Sequence, residues 1–302
     1  MSSFDIGPSV VMLHPAFVKA EAEPFIPGGH RWPASPRSHD WKLVRAYEHL
    51  EALDDEIDRW VRSDAVVLVD ELDPQSGEHR KRVFIREEPP IRVGLLLGDC
   101  LQNLRNVLDH LAFALTESAL GVPLPKKIAD NVCFPILGQP DADKIERCIG
   151  KIDPTAKAII EDLQPYSGRD PDASTMLALL NRLANDDKHR LMNFPLFAGG
   201  GVRIDFGRPR VITGADISGG SNLDPNSIKV LEGPLEGGAV VLRYIPIPLD
   251  PSKEMQMGHH PIFGIAFPKG TVAEGQDVIR TIQRIWAEVT RRVIQPLRGF
   301  LT

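Results

Sequence analysis

Arg105, Asn106, Asp109 and His110 lie close together in the segment Gly98-Asp-Cys-Leu-Gln-Asn-Leu-Arg-Asn-Val-Leu-Asp-His-Leu-Ala112. A histidine exchanges a proton near neutral pH, and a guanidinium is a permanent cation whose rigid fork of donors suits oxyanions. Together they are the types that acid–base chemistry on a charged ester requires. Asp99, Gln102 and Asn103 extend the same polar band upstream. At about 100° per residue, Leu97, Leu101, Leu104, Leu108, Leu111 and Leu115 fall on the opposite side of one helix. Leu95, Leu96 and Phe113 make the polar side apolar again beyond the band. A polar band confined to the middle of an apolar helix predicts a buried or cleft-facing patch, where each group needs a partner.

A second polar stripe falls in Asn181-Arg-Leu-Ala-Asn-Asp-Asp-Lys-His-Arg-Leu191, where Asn181, Asn185, Lys188 and His189 share a face and Asp186 can pair with Arg190. If the two helices pack antiparallel, Asp99 and Asn103 face Lys188 and His189. The plain alternative needs no chemistry. Arg105 with Asp109, and Asn106 with His110, are i, i+4 pairs that could simply fix helix register.

Arg105-Asn-Val-Leu-Asp-His110, an R-x4-H string with Asn directly after the Arg, resembles the signature of the HEPN superfamily of helical-bundle proteins. Many of these are metal-independent ribonucleases of toxin and defence systems. The resemblance implies RNA cleavage or RNA binding. His110 would act as base or acid on the 2′-hydroxyl, Arg105 as the cation on the phosphorane, and Asn106 as a positioning group, with Asp99, Asn103, Asp109, Lys188 and His189 in support. It also implies a homodimer, because such sites usually form where two subunits meet, and it leaves room for an antitoxin as partner. With the Phe134-Pro-Ile136, Leu163-Gln-Pro-Tyr166 and Asp187-Lys-His-Arg190 blocks, the chain is similar to a group of uncharacterised bacterial proteins. Its length, its β-rich section and the place of the motif depart from a minimal HEPN domain.

Other candidates are weaker. Arg280, Arg284 and Arg291 form a stripe that could track an RNA backbone, extended by Arg203, Arg208 and Arg210; a solvated helix face is the simpler account. His259-His260 reads as a loop pair, since adjacent residues of a strand point to opposite faces. Asp99, His110 and His189 are the one set that could converge on a metal, but no Glu-x-x-His pair supports it, and neither metal nor cofactor is expected. There is no G-x-S-x-G elbow, no G-x-G-x-x-G and no Walker loop. A small-molecule pocket between helices is a further alternative.

The elements that must position these groups follow from composition and periodicity. The chain has 302 residues, 42% hydrophobic and 25% charged, with a net charge of −6, which excludes a generally polybasic nucleic-acid binder. Cys100, Cys133 and Cys148 lack C-x-x-C spacing, so a reducing cytoplasm is the expected setting, with Cys100 and Cys148 as core residues. No apolar run approaches the roughly 20 residues of a membrane span, and no leader is visible. Residues 1–37 read as an extended arm with Phe17, Phe25 and Trp32 as anchors. Residues 38–198 read as a helical bundle with a hairpin at 65–86. Its helices run over about 38–62, from Pro90 to Gly121, over 141–149, 154–163 and 172–192. Residues 199–270 read as one antiparallel sheet of four or five strands, and residues 271–302 as a helix over 272–295 stopped by Pro296. The expected class is α+β: a bundle of long helices, a hairpin after the first helix and an antiparallel sheet inserted before the last. The functional expectation is a HEPN-like ribonuclease or RNA-binding effector. The alternative is a non-catalytic partner-binding protein whose polar band is structural.

Overall fold

A computed structural model describes residues 37–187, 194–205, 209–213, 227–245 and 258–301. The expected arm at 1–37 lies outside them apart from its last residue.

Helix α1, Ser38–Val61, buries Leu43, Ala46, Leu50, Leu53, Ile57 and Trp60, the apolar face read from its spacing. Asp40 caps its start by accepting the Arg37 main-chain N–H at 3.0 Å. Strands β1, Val66–Leu72, and β2, His79–Ile85, follow as a hairpin registered from Val66 against Ile85 to Leu72 against His79. Gly77 sits in its turn with φ +69°, a backbone conformation glycine adopts without strain.

Helix α2, Ile91–Leu120, runs from Pro90 to Gly121 as the Pro and Gly positions require. Its buried side carries Leu97, Leu101, Leu104, Leu108, Leu111 and Leu115, none more than 2% exposed, and α1 packs along it. The Cys100 thiol donates to the Ala46 carbonyl across that contact at 3.2 Å.

A short turn of helix, α3, Lys126–Ala129, leads into an irregular strip in which Phe134 and Leu137 are buried. Helices α4, Ala142–Ile149, and α5, Pro154–Asp162, each start on an aspartate cap: Asp141 accepts from Lys144 N, and Asp153 from Thr155 N and Ala156 N. Helix α6, Pro171–Asp187, carries the second polar stripe; the remainder of its expected span lies outside the described residues.

The β section corrects the expectation of one sheet. Strands β3, Leu196–Asp205, β4, Pro209–Thr213, β5, Lys229–Val230, β6, Glu232–Pro234, β7, Val240–Tyr244, and β8, Gly258–Ile265, divide between two antiparallel sheets. The hairpin does not stand alone: β7 pairs with β2, and β5 with β7, in the order β1-β2-β7-β5. A lone hairpin is marginal in water, and the added strands satisfy the open edge of β2. In the second sheet β3 pairs with β8, β6 and β4. Its pairing with β8 shifts register between Ala198 and Val202, where three glycines allow a bulge.

The last helix is corrected as well. Residues 271–276 form turns, and α7, Val278–Glu288, starts on Asp277, whose side chain accepts Arg280 N at 2.8 Å. It passes through a π-helical stretch, Val289–Ile294, into Gln295–Leu297 and a closing 3₁₀ turn. Pro296 does not stop it, because the change of hydrogen-bond pattern places proline at the start of a new turn, where its missing N–H costs little. The Trp286 indole donates to the Leu43 carbonyl at 3.4 Å, and Arg298 pairs with Asp40, so the C-terminal helix packs on α1. The architecture is α+β. Among the described residues no helix is long and apolar enough to cross a membrane.

Candidate functional site

Most polar groups of the α2 band can be followed to a partner. The Arg105 guanidinium donates from Nη1 to Asp109 Oδ1 at 2.8 Å and from Nη2 to the Phe134 carbonyl at 3.0 Å. Asp109 Oδ1 also accepts the Phe134 N–H at 2.9 Å. One i, i+4 pair on a helix thus holds both main-chain groups of a residue 25 positions away from Asp109. Phe134 itself is fully buried, and among the described residues its strip forms no ladder with any strand, so these side chains supply what a sheet otherwise would.

The far side of the strip is held in the same way. Gln164, fully buried, accepts the Leu137 N–H at 2.9 Å, and its amide donates to the Pro135 carbonyl at 2.9 Å and the Ile160 carbonyl at 3.0 Å. Ser174 at the start of α6 donates to the carbonyls of Leu163 and Gln164. The Phe134-Pro-Ile and Leu163-Gln-Pro blocks are therefore two parts of one hydrogen-bonded unit.

The remaining members of the band face elsewhere. Asn106 accepts from Gln102 at 3.2 Å, and Asn103 donates to the Asp99 carbonyl at 2.8 Å. Asp99 is largely exposed, with His49 of α1 at 4.0 Å. Gly98 lies under the Asp187 carboxylate so closely that an added Cβ would meet both its oxygens at 2.6 Å. Burial first, then Asp99, raises the Asp187 carboxyl above its ordinary range. The end of α6 thus meets α2 at Gly98, next to where Asp99 was expected to face Lys188 and His189; those two residues lie outside the described set.

His110 is half-buried, and burial followed by Lys42 holds its imidazole below the usual histidine range, against a smaller opposing effect of Asp109. Its charge is also felt by His39, a buried residue whose Nδ1 has no hydrogen-bond partner among the described residues. Arg105 and His110 are five residues apart, a rotation of about 500°, or about 140° around the helix. Arg105 is turned to the 133–137 strip, whereas His110 is tuned by Lys42 on α1 and itself acts on His39 of the same helix. Arg105 and His110 share Asp109 as a neighbour and otherwise have different partners.

The basic stripe of the last helix is partly engaged. Arg280 donates to Glu232 and to the Gly199 carbonyl, Arg291 pairs with Glu288, and Arg284 is exposed. The π turn after Glu288 interrupts the register on which that stripe was read. Arg203 and Arg210 lie opposite one another's neighbours on β3 and β4, and Arg208 lies outside the described residues. His259 and His260 are in strand β8, opposite Ile204 and Arg203, and not in a loop. Among the described residues no group of three or more His, Cys, Asp or Glu is placed to hold a metal ion.

Sequence reasoning missed Gln164 and the closeness of Cys133 to Cys148. A Gln-Pro pair ending a helix marks only a stop, and the strip it serves has no periodicity to reveal it. Comparison with family models, curated proteins and solved structures returns no match.

Proposed function

We propose that this chain is a non-catalytic binding protein in which the polar band of α2 is structural, holding the 133–137 strip while the bundle and sheets present a surface to a protein partner. The observation that carries it is the commitment of Arg105. Two of its five N–H donors, one on each terminal nitrogen, are held by Asp109 and the Phe134 carbonyl, which fixes the plane of the guanidinium toward the strip, whereas an arginine that stabilises a transferring phosphate must turn that fork to the substrate. The net charge of −6 does nothing to gather a polyanion. Ile91 and Leu95 on α2, and Val69, Leu72 and Phe84 on the hairpin, are apolar and exposed, the material of which partner surfaces are made. Three free thiols suit a reducing, cytoplasmic setting.

A second reading keeps the HEPN-like kinship, with a homodimer that cleaves RNA without metal. One observation favours it. His110 is accessible in part, and its lowered pKa makes the imidazole neutral at pH 7, as a general base requires. It demands that Arg105 leave Phe134 when RNA binds.

The two readings part on one assay: the purified chain incubated with a mixed RNA pool in excess chelator, beside His110→Ala and Arg105→Ala. The binding reading expects the RNA to stay intact in all three. Cleavage by the unaltered chain that disappears in His110→Ala overturns it in favour of the second.

A further inference from the structure

Neither reading gives Cys133 or Cys148 a binding or catalytic role, yet their sulfurs lie 2.9 Å apart, with the Cys133 thiol donating to Cys148 Sγ. That is within about 1 Å of a covalent S–S bond, which spans about 2.05 Å. Their positions differ usefully. Cys133 is half-buried at the edge of the strip, directly before Phe134; Cys148 is 3% exposed in the last turn of α4. Cys100 is remote from both, buried between α1 and α2 with its thiol on Ala46.

We infer that Cys133 and Cys148 form a reversible disulfide site, closed by thiol–disulfide exchange with a low-molecular-weight disulfide, that ties α4 to the strip clamped by Arg105 and Asp109. Cys133, the accessible member, attacks as thiolate. A bond forms between its sulfur and one sulfur of the oxidant, whose other half leaves as a thiol carrying away a proton. Cys148 then attacks Cys133 Sγ, the intramolecular S–S bond forms, and the second half of the oxidant leaves as a thiol. Two protein S–H bonds are exchanged for one S–S bond, and the added disulfide is reduced to two thiols.

The surroundings set the rate. Burial first, then the hydrogen bond to Cys148, push the Cys133 thiol up to about 12; the charge of Asp109 adds to this and Arg105 opposes it. Little thiolate exists at pH 7, so closure is slow there and speeds up roughly tenfold per pH unit. Once formed, the bond closes a loop of 15 residues, and the expected rise in Tm is roughly 5 °C.

The test uses the full purified chain and oxidised glutathione at pH 8. After oxidation the chain is denatured and alkylated, then weighed and mapped. The expected result is one alkylated thiol, Cys100, a linked Cys133–Cys148 peptide pair, the higher Tm, and return of all three thiols on reduction. Cys148→Ser should stop at a glutathione adduct on Cys133. Three alkylated thiols after oxidation, a persistent adduct on Cys133 in the unaltered chain, or cross-links between chains would each overturn the inference. Because the unaltered chain alone gives a decisive map, an unfolded variant leaves the outcome readable.

Discussion

The Arg105 guanidinium reaches the Phe134 carbonyl at 3.0 Å while its own salt-bridge partner, Asp109, takes the Phe134 N–H. A helix here caps a loop with side chains, and the loop is fixed as a β-strand would be by a neighbour. That relationship places a quantitative demand on stability.

Arg105→Ala removes both bonds and leaves a buried carbonyl and a carboxylate short of donors. The cost should be about 2 to 3 kcal/mol, a fall in Tm of roughly 5 °C by circular dichroism. Arg105→Lys should recover only part of it, since an ammonium lacks the fork that spans Asp109 and Phe134. A Tm unchanged in Arg105→Ala would remove the structural role.

Gln164→Leu keeps the volume and deletes three hydrogen bonds, stranding Leu137 N–H and the Pro135 and Ile160 carbonyls. In a fully buried site the expected loss is about 3 kcal/mol, read as a lower urea midpoint. Combined with Arg105→Ala, the losses should be non-additive, because both side chains restrain one strip.

Asp54 on α1 has its carboxyl raised to about 6, by burial first and then by Asp58, Asp55 and Asp277. The folded state holds that proton more tightly than the unfolded state, whose value is about 4. This contribution to stability is therefore greatest below about pH 4 and is lost as pH rises to about 6. Asp54→Asn should gain about 1 to 2 kcal/mol at pH 7, a gain that fades as pH falls through that window. Denaturant melts at pH 7 and pH 4 check it; an equal shift at both would contradict the assignment.

Gly98→Ala tests the meeting of α2 and α6. Alanine favours a helix over glycine by about 1 kcal/mol, but here its methyl would displace the Asp187 carboxylate. In the Asp187→Ala background the full gain should appear, and in the unaltered chain most of it should vanish. A double-mutant cycle with no coupling would separate the two residues.

The amphipathic spacing of 38–61 and 91–120, the Pro and Gly that bound α2, and the β-rich runs on either side of the hairpin's Pro/Gly turn are local properties, and the α+β class could be read from them. Even the identity of the polar band was legible, because its residues interrupt an apolar helix. Which way each member turns was not. Periodicity gives an angle about an axis but not what stands there, and Arg105 found a main-chain loop 29 residues on. The division of the strands into two sheets was equally hidden, since β7 joins β2 across more than 150 residues and pairing depends on edges that no local pattern records. The sequence alone settled which residues are polar and where the two long helices α1 and α2 begin. Long-range packing, which brings distant main-chain groups within reach of a side chain and lays one sulfur beside another, decided what they hold.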